Sequence, residues 1–157
     1  MIITWNKWAQ RDEFIGLVRQ SLDATPERVA YYPGAADRYV RFSGSKTSPN
    51  DNNCLPWTLL TQQSISDRPE LFTEESFVAV CAETSLDAQS PQDFVDIATE
   101  FVNERMFGSL CVSVTFPNGF RREHREVTNR CLQNLRYGSV CINQWSGLAY
   151  GLSLIHI

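Results

Sequence analysis

Thiols and imidazoles are the side chains that most often act as nucleophiles, bases and metal ligands. The sequence has five cysteines, with no C-x-x-C pair and no histidine nearby at a metal-ligand spacing. No zinc site or other metal site is therefore predicted. His124 lies among charged residues of a predicted helix, which favours a surface position over the role of a catalytic base. The cysteines are Cys54, Cys81, Cys111, Cys131 and Cys141.

Motifs that would identify a nucleotide site or a hydrolase are missing. The sequence has no G-x-G-x-x-G, no G-x-x-x-x-G-K-[ST], no G-x-S-x-G and no H-E-x-x-H. The remaining candidates are polar residues that follow strands, because parallel sheets bind ligands outside the carboxyl ends of their strands. The leading example is Asn143, at the end of the last predicted strand, with Gln144 and Trp145 directly after it.

Composition narrows the class of protein. The 157 residues are 43% hydrophobic and 20% charged, which is typical of one globular domain. A net charge of -4 and a pI near 5.2 provide no basic face for nucleic acid, and the mixed cluster at residues 121–126 favours a solvated face over a binding patch. No signal peptide is evident, and no apolar run approaches the roughly 20 residues of a membrane helix. We therefore expect a soluble, cytoplasmic protein that binds neither nucleic acid nor membrane.

The first half of the sequence predicts short strands and helices. An apolar run at residues 2–5 predicts a strand, and apolar residues between Phe14 and Leu22 predict a helix that ends before Pro26. Turn-like residues 31–34 precede a short predicted helix at residues 35–42. A polar segment, residues 43–53, is predicted to be a mobile loop. Two further strands are predicted at residues 57–60 and 77–82.

The second half alternates helix and strand. Ser90 and Pro91 predict a helix start, and apolar residues from Phe94 to Val102 form its stripe. A strand is predicted at residues 109–116, a helix at residues 121–135 and a strand at residues 139–143. Cys81, Cys111 and Cys141 fall inside predicted strands and are expected to be small buried hydrophobes. The alternation predicts an α/β fold, three-layered, with helices packed on a mostly parallel sheet.

Three stretches, in order and at compatible spacing, resemble the C-terminal half of the aldehyde dehydrogenase catalytic domain. Residues 73–80, Thr-Glu-Glu-Ser-Phe-Val-Ala-Val, resemble the family's Glu-Glu-x-Phe-Gly-Pro-Val, although Val78 and Ala79 replace its usual Gly-Pro. Residues 103–108, Asn-Glu-Arg-Met-Phe-Gly, resemble its Asn-x-x-x-Tyr-Gly. Residues 135–143, Leu-Arg-Tyr-Gly-Ser-Val-Cys-Ile-Asn, resemble its Leu-x-x-Gly-x-Val-x-x-Asn. Three more stretches resemble an atypical branch of that superfamily, namely residues 10–14, 31–34 and 55–58.

The resemblance implies an enzyme that oxidises an aldehyde to a carboxylic acid through a cysteine thiohemiacetal, with NAD or NADP as acceptor. None of the five cysteines matches the nucleophile motif. By the resemblance, the nucleophile, the general-base glutamate and the Rossmann-type cofactor domain lie outside this sequence. We therefore expect no catalytic residue here, an inactive fragment when isolated, and a parent protein that forms homo-oligomers.

The resemblance also implies four site residues. Glu75 falls on the glutamate that accepts hydrogen bonds from the nicotinamide ribose hydroxyls, and Phe77 falls on the aromatic residue beside the nicotinamide ring. Asn143 falls on the family's asparagine at the end of a strand, near the aldehyde substrate. Trp145 falls in the segment after that asparagine, where the family often has residues that line the substrate tunnel. Alternatively, Phe77 is a core residue at the start of a strand. Trp145 could equally be a tryptophan that anchors the core.

The end of the sequence carries a different resemblance. Residues 152–157, Leu-Ser-Leu-Ile-His-Ile, resemble the translated transposase end sequence used in preparing sequencing libraries. The expectation is then that residues 1–151 are part of a dehydrogenase-like catalytic domain, cut in mid-domain. Two alternatives remain: a genuine apolar C-terminal strand, and a non-catalytic α/β interaction domain or degenerate dehydrogenase homologue.

Overall fold

The computed structural model describes residues 1–45 and 54–151, with the exception of the Tyr150 side chain. The chain divides into two compact units, Met1–Ala88 and Gln89–Ile157. Both mix helices with small, mostly parallel sheets, which is compatible with the predicted α/β class. The predictions for residues 46–53, within the expected loop, and for residues 152–157 lie outside the described residues. No helix in the described part of the chain is both long and apolar enough to cross a membrane.

The first unit is built on a three-stranded parallel sheet in the order β1-β5-β4. A two-residue antiparallel pair, β2 with β3, stands apart from it. The predicted strand at residues 2–5 and the helix at residues 35–42 are confirmed. The elements are β1 (Ile2–Trp5), α1 (Arg11–Asp23), β2 (Arg28–Val29), α2 (Ala35–Ser43), β3 (Cys54–Leu55), β4 (Thr58–Leu60), α3 (Glu70–Thr73) and β5 (Val80–Leu86).

Helix α2 supplies three buried residues to the core of the first unit. Tyr39 and Phe42 on this helix are 2% and 1% exposed, and Tyr39 packs with Ala35 and Leu55. Helix α1 forms as its apolar spacing predicts, but it buries Ile15 and leaves Leu17 exposed. The apolar residues predicted to form one face between Phe14 and Leu22 are therefore more numerous than those that α1 buries.

A buried ion pair holds the middle of the three-stranded sheet. Glu83 on β5 is fully buried, and Arg11 Nη2 donates to both of its carboxylate oxygens, at 2.9 and 2.8 Å. Thr4 Oγ1 donates to Oε1 at 2.5 Å, and the backbone N–H of Gln62 donates to Oε2 at 2.8 Å. These donors come from β1, α1 and the segment after β4, so the buried charge is satisfied by every neighbouring segment of this sheet.

The second unit packs helices against a pair of parallel strands, β6 and β7. Ser90 caps the first helix, accepting a hydrogen bond from Asp93 N at 3.1 Å, and Pro91 occupies its first turn, which confirms the predicted start. Val95, Phe116 and Cys131 are buried together, with Val114 and Ile142 packed against them. The elements are α4 (Pro91–Arg105), β6 (Cys111–Val114), α5 (Phe120–Glu123), α6 (Arg125–Asn134), β7 (Ser139–Ile142) and α7 (Leu148–Gly151).

Three boundaries differ from the sequence-based prediction. The strand predicted at residues 77–82 is wrong at its start, because Phe77 has a left-handed φ of 50° and β5 begins only at Val80. The helix predicted at residues 121–135 is interrupted at His124, whose φ of -121° and ψ of 51° separate α5 from α6. The strand predicted at residues 109–116 is shorter, since only Cys111–Val114 pair with β7.

Candidate functional site

A groove of about 810 Å³ lies within the first unit and opens to solvent. Its walls come from three segments, namely β2 with the turn before α2, the β3–β4 connection, and the segment before β5. Two of the predicted site residues, Glu75 and Phe77, line it together. Side chains with chemistry to offer in this groove are Arg28, Tyr31, Tyr32, Trp57, Glu75 and Phe77.

Three aromatic rings of this groove form what we term the aromatic corner, Tyr31, Tyr32 and Phe77. The Tyr31 and Tyr32 centroids are 5.1 Å apart with the rings nearly perpendicular, at 87°. The Tyr32 and Phe77 centroids are also 5.1 Å apart, at 65°. In edge contacts of this kind the edge of one ring lies against the face of its neighbour, which fixes the orientation of both rings. Tyr32 and Phe77 remain 46% and 49% exposed, so the corner presents aromatic surface to whatever enters the groove.

The backbone at Phe77 directs its ring outward. A φ of 50° is uncommon for a bulky residue and costs of order 1–3 kcal/mol, which the surrounding structure must offset. The next residue, Val78, packs against the buried cluster of Ala35, Tyr39 and Leu55. Val78 O accepts a hydrogen bond from Val80 N at 2.8 Å, which tightens the entry into β5. Val78 therefore anchors the segment inward while its strained neighbour is held at the surface.

The two adjacent glutamates at the groove differ in what they contact. Glu75 is exposed and lines the groove. Glu74 does not line it, and its carboxylate accepts a hydrogen bond from Arg41 Nη2 at 2.5 Å. Glu74 therefore lies outside the groove, in an exposed ion pair. Glu75 is thus the carboxylate that this segment offers to a ligand.

Arg28 gives the groove a second charged position. A neighbouring cleft of about 580 Å³ shares only Arg28 and Trp57 with the groove. These two residues therefore lie where the two cavities meet. Trp57 is held in place by its indole N–H, which donates to Pro26 O at 3.0 Å. The groove is thus lined by one guanidinium as well as by a carboxylate and aromatic rings.

Asn143 lies in the second unit, at the carboxyl end of β7. Its Oδ1 accepts from Phe116 N at 2.8 Å, and its Nδ2 donates to Phe116 O at 3.1 Å. The backbone φ of 54° is left-handed, a conformation that asparagine tolerates better than most residues. Both amide atoms therefore extend the pairing between the ends of β6 and β7.

Trp145 follows Asn143 and is 70% exposed. Its indole lies over Gly147, where a Cβ atom would come within 2.4 Å of the ring. The intervening Ser146 is buried and donates its backbone N–H to Ser113 Oγ at 2.9 Å. The exposed ring does not act as the core anchor that was its alternative.

Two residues of the second resembling motif have structural roles, only one of them in the turn between α4 and β6. Asn103 Nδ2 donates to Asn134 O at 2.8 Å, and its Oδ1 accepts from Arg136 N at 3.0 Å, which joins α4 to the segment before β7. Gly108 has a φ of 89° in the connection to β6, a conformation that favours glycine.

The thiols offer no evident nucleophile. Cys131, rather than a strand cysteine, is the buried one, and burial raises the pKa of its thiol above the ordinary value of 9.0. Cys81, Cys111 and Cys141 do lie in strands but are half-buried, so the expectation of burial is wrong for them. His124 is partly exposed, with 31% of its side chain accessible and its ring 4.7 Å from that of Phe120. Within residues 1–45 and 54–151, no three potential ligand side chains form a metal-binding group.

The sequence-based prediction gave no site role to Arg28, Tyr31, Tyr32 or Trp57. The one usable sign was the pair of adjacent tyrosines before Pro33-Gly34, because a turn sequence rarely needs two large aromatic residues. Comparison with known proteins finds no match among family models, curated proteins or solved structures. The function must therefore be argued from the groove and the sequence resemblance.

Proposed function

We propose that this chain supplies part of the nicotinamide-binding wall of an NAD- or NADP-dependent aldehyde dehydrogenase. The observation that carries the proposal is the position of Glu75 and Phe77 on one open groove, with the Phe77 ring exposed and held by Tyr32. The same two residues match the cofactor-contacting positions of the resembling motif. Phe77 is half-exposed and has a left-handed backbone, so burial in a core does not explain its position.

The groove residues fit the chemistry of a nicotinamide riboside. Glu75 offers carboxylate oxygens that accept hydrogen bonds from the two ribose hydroxyls. Phe77 and Tyr32 offer apolar faces that limit where a planar ring can lie, and hydride transfer depends on that alignment. A bound nicotinamide would supply a hydride acceptor for the aldehyde carbon once a cysteine had added to that carbon, and hydrolysis of the resulting thioester by water would give the carboxylic acid. None of the thiols of this sequence is assigned as that cysteine.

The test is a titration of the 157-residue chain with nicotinamide mononucleotide and with nicotinamide, followed by ¹⁵N–¹H correlation spectra. We expect amide shifts at residues 28–32 and 75–79. Glu75→Gln should weaken the mononucleotide about threefold to tenfold, the effect of one charge-assisted hydrogen bond, and leave nicotinamide unchanged. Phe77→Leu should weaken both ligands, because both carry the ring.

Glu74→Gln is the matched control for Glu75→Gln. It changes the adjacent carboxylate, which contacts Arg41 and does not line the groove, and should leave both affinities unchanged. Equal losses in the two glutamate variants would show a general effect of charge and reject the role of Glu75. Absence of shifts at these groove residues in the wild-type chain would reject the proposal.

A second candidate is a non-catalytic α/β interaction domain or a degenerate dehydrogenase homologue. One observation favours it, namely that both amide atoms of Asn143 are used in bonds to Phe116 rather than left for a substrate. This candidate predicts that nicotinamide mononucleotide leaves the groove amides unshifted. The same titration therefore separates the two functions.

A further inference from the structure

We infer that Tyr32 is a positioning residue of the groove, which acts on a bound nicotinamide through Phe77 by fixing where the Phe77 ring lies. This inference rests on the proposed function and deepens it, since the resemblance gives a role to Phe77 and none to Tyr32. The two residues reach the groove from separate segments, the turn before α2 and the segment before β5.

The Phe77 side chain needs such a support because burial does not hold it. Phe77 is 49% exposed, whereas the next residue, Val78, packs against the buried cluster of Ala35, Tyr39 and Leu55. A half-exposed side chain exchanges between rotamers unless a neighbouring group favours one of them. The anchored backbone thus fixes where the Phe77 side chain begins, and a neighbouring group must fix where its ring lies.

The ring of Tyr32 is that neighbouring group. The centroids of the Tyr32 and Phe77 rings are 5.1 Å apart and the rings are inclined at 65°, an arrangement that aromatic pairs favour. Tyr31 meets Tyr32 at the same centroid distance and nearly at a right angle. An aromatic pair of this kind gains enough beyond its buried area for about a two- to tenfold preference for one ring position.

Tyr32 can position another residue because its own backbone is fixed at the start of α2. Tyr32 O accepts a hydrogen bond from Ala35 N at 3.1 Å, and Gly34 between them has a left-handed φ of 72°. Pro33 has a restricted φ, and its carbonyl accepts from Arg38 Nη1 at 2.9 Å. Ala35 is 4% exposed, so this turn is tied to the core of the first unit. The position of Tyr32 is therefore set by a buried helix.

A positioning role differs in one measurable respect from that of a second wall. If Tyr32 acts through Phe77, removal of the Tyr32 ring lowers affinity only while the Phe77 ring is present. If Tyr32 only contacts the ligand, the losses from the two removals multiply. The coupling between the two substitutions therefore distinguishes the two roles.

The test is a double-mutant cycle of Tyr32→Leu and Phe77→Leu on the 157-residue chain, with nicotinamide mononucleotide as the ligand in the same amide titration. We expect Tyr32→Leu to weaken binding about two- to fivefold in the wild-type background and scarcely at all in Phe77→Leu. Tyr32→Phe retains the ring and should bind as the wild-type chain does. Phe14→Leu is the matched control, because it removes one ring of another aromatic pair, Trp8 with Phe14, that does not line the groove.

The free chain gives a second readout that a purely structural role would not change. Three-bond couplings of Phe77 report whether its side chain occupies one rotamer or several. We expect these couplings to move toward a rotamer average in Tyr32→Leu and to stay at their wild-type values in Tyr32→Phe. Amide spectra of α2 establish that each variant is folded, and Tyr32→Met takes the place of Tyr32→Leu if the latter is not.

The outcomes separate this inference from the proposed function. If Tyr32→Leu weakens binding equally with and without the Phe77 ring, the inference is overturned and the proposed function stands. Phe77 couplings that are unchanged in folded Tyr32→Leu also overturn the inference alone. Absence of binding by the wild-type chain overturns the proposed function, and the inference with it.

Discussion

The two parallel sheets of this chain are held together in different ways. In the first unit, the central strand carries the buried carboxylate of Glu83, and β1, α1 and the segment after β4 all donate to it. In the second unit, β6 and β7 place Val114 and Ile142 against a cluster of Val95, Phe116 and Cys131. Hydrogen bonds and ion pairs are directional, so they specify which residues of neighbouring segments pair. Apolar packing has no such directionality and specifies strand register less strictly.

The difference also bears on where each unit is vulnerable. A buried ion pair gives little net stability over an apolar pair of similar volume, but the loss of one partner leaves an uncompensated charge. An apolar cluster loses stability in proportion to the volume removed. The first unit therefore depends on a single carboxylate more than the second depends on any one polar group.

The largest effect is expected from Glu83→Gln. It removes the charge that Arg11 faces and should lower the free energy of unfolding of the first unit by about 3–5 kcal/mol. Hydrogen exchange at the amides of β1, β4 and β5 reports this loss. Glu74→Gln, which breaks the exposed pair with Arg41, is the control and should cost less than about 1 kcal/mol. Similar small losses in both variants would remove the contrast between the units.

Arg11→Met combined with Glu83→Leu sharpens the same comparison. Replacing both charges by apolar side chains removes the uncompensated group, so the double variant should be more stable than Glu83→Gln alone. The difference is expected to be about 2 kcal/mol, by the same measurement, within the range for buried pairs. A double variant less stable than the single one would mean that Thr4 and Gln62 depend on the carboxylate themselves.

Asn143→Ala tests a polar contact of the second unit. It removes two hydrogen bonds to Phe116 and places alanine at a φ of 54°, so a loss of about 2–3 kcal/mol is expected. Denaturant unfolding followed by tryptophan fluorescence measures it. Asn143→Gly relieves the backbone strain and should recover about 1 kcal/mol. If the alanine variant is as stable as the wild type, the Asn143 amide does not stabilise the fold. The amide would then again be a candidate for a substrate contact.

Thr128→Val should stabilise the second unit. The Thr128 hydroxyl is buried and has no hydrogen-bond partner in the described part of the chain. Replacing it by a methyl group of similar size should add about 1 kcal/mol. Thr99→Val is the matched variant, because the Thr99 hydroxyl donates to Val95 O at 2.7 Å, and it should be destabilising by a similar amount. Equal signs in thermal denaturation would contradict this assignment.

The smallest effect concerns acid. A hydrogen bond from Arg68 lowers the pKa of Glu70 below its ordinary value of 4.5. The stabilisation is therefore complete above about pH 4.5 and is lost as the pH falls through the lower folded-state value. Its size is below about 1 kcal/mol, because both side chains are partly exposed. Unfolding free energies measured between pH 3 and 6 should decline less steeply in Glu70→Gln, and an unchanged slope would argue against the pair.

Local features were predictable from the sequence, and long-range ones were not. Ser90 and Pro91 define the start of α4 by capping chemistry within four residues, and the strand at residues 2–5 forms as its composition predicts. The Arg11–Glu83 pair joins residues 72 positions apart, and no local pattern connects them. The interruption at His124 was missed because residues 121–126 are all charged or polar and include no glycine or proline that would mark a break.

In the candidate site, too, residues within one short motif were predicted, and residues from separate segments were not. Glu75 and Phe77 were predicted from one short motif, and both lie on the groove. Arg28, Tyr31 and Trp57 were missed because they reach it from separate segments. Phe77 was expected in a strand since its neighbours are apolar, and its left-handed backbone follows from the anchoring of Val78 against α2, a tertiary contact.

The order of strands in the first sheet has a consequence for synthesis and folding. The buried carboxylate of Glu83 meets Thr4, which precedes it by 79 residues, whereas Phe116 and Asn143 in the second unit are separated by only 27. During translation β1 remains exposed and unpaired until β5, the last strand of its sheet to be synthesised, is complete. By then nearly 90 residues have been made. Closure of so long a loop is slow, so the N-terminal unit is expected to set the folding time of the chain and its exposure to misassembly.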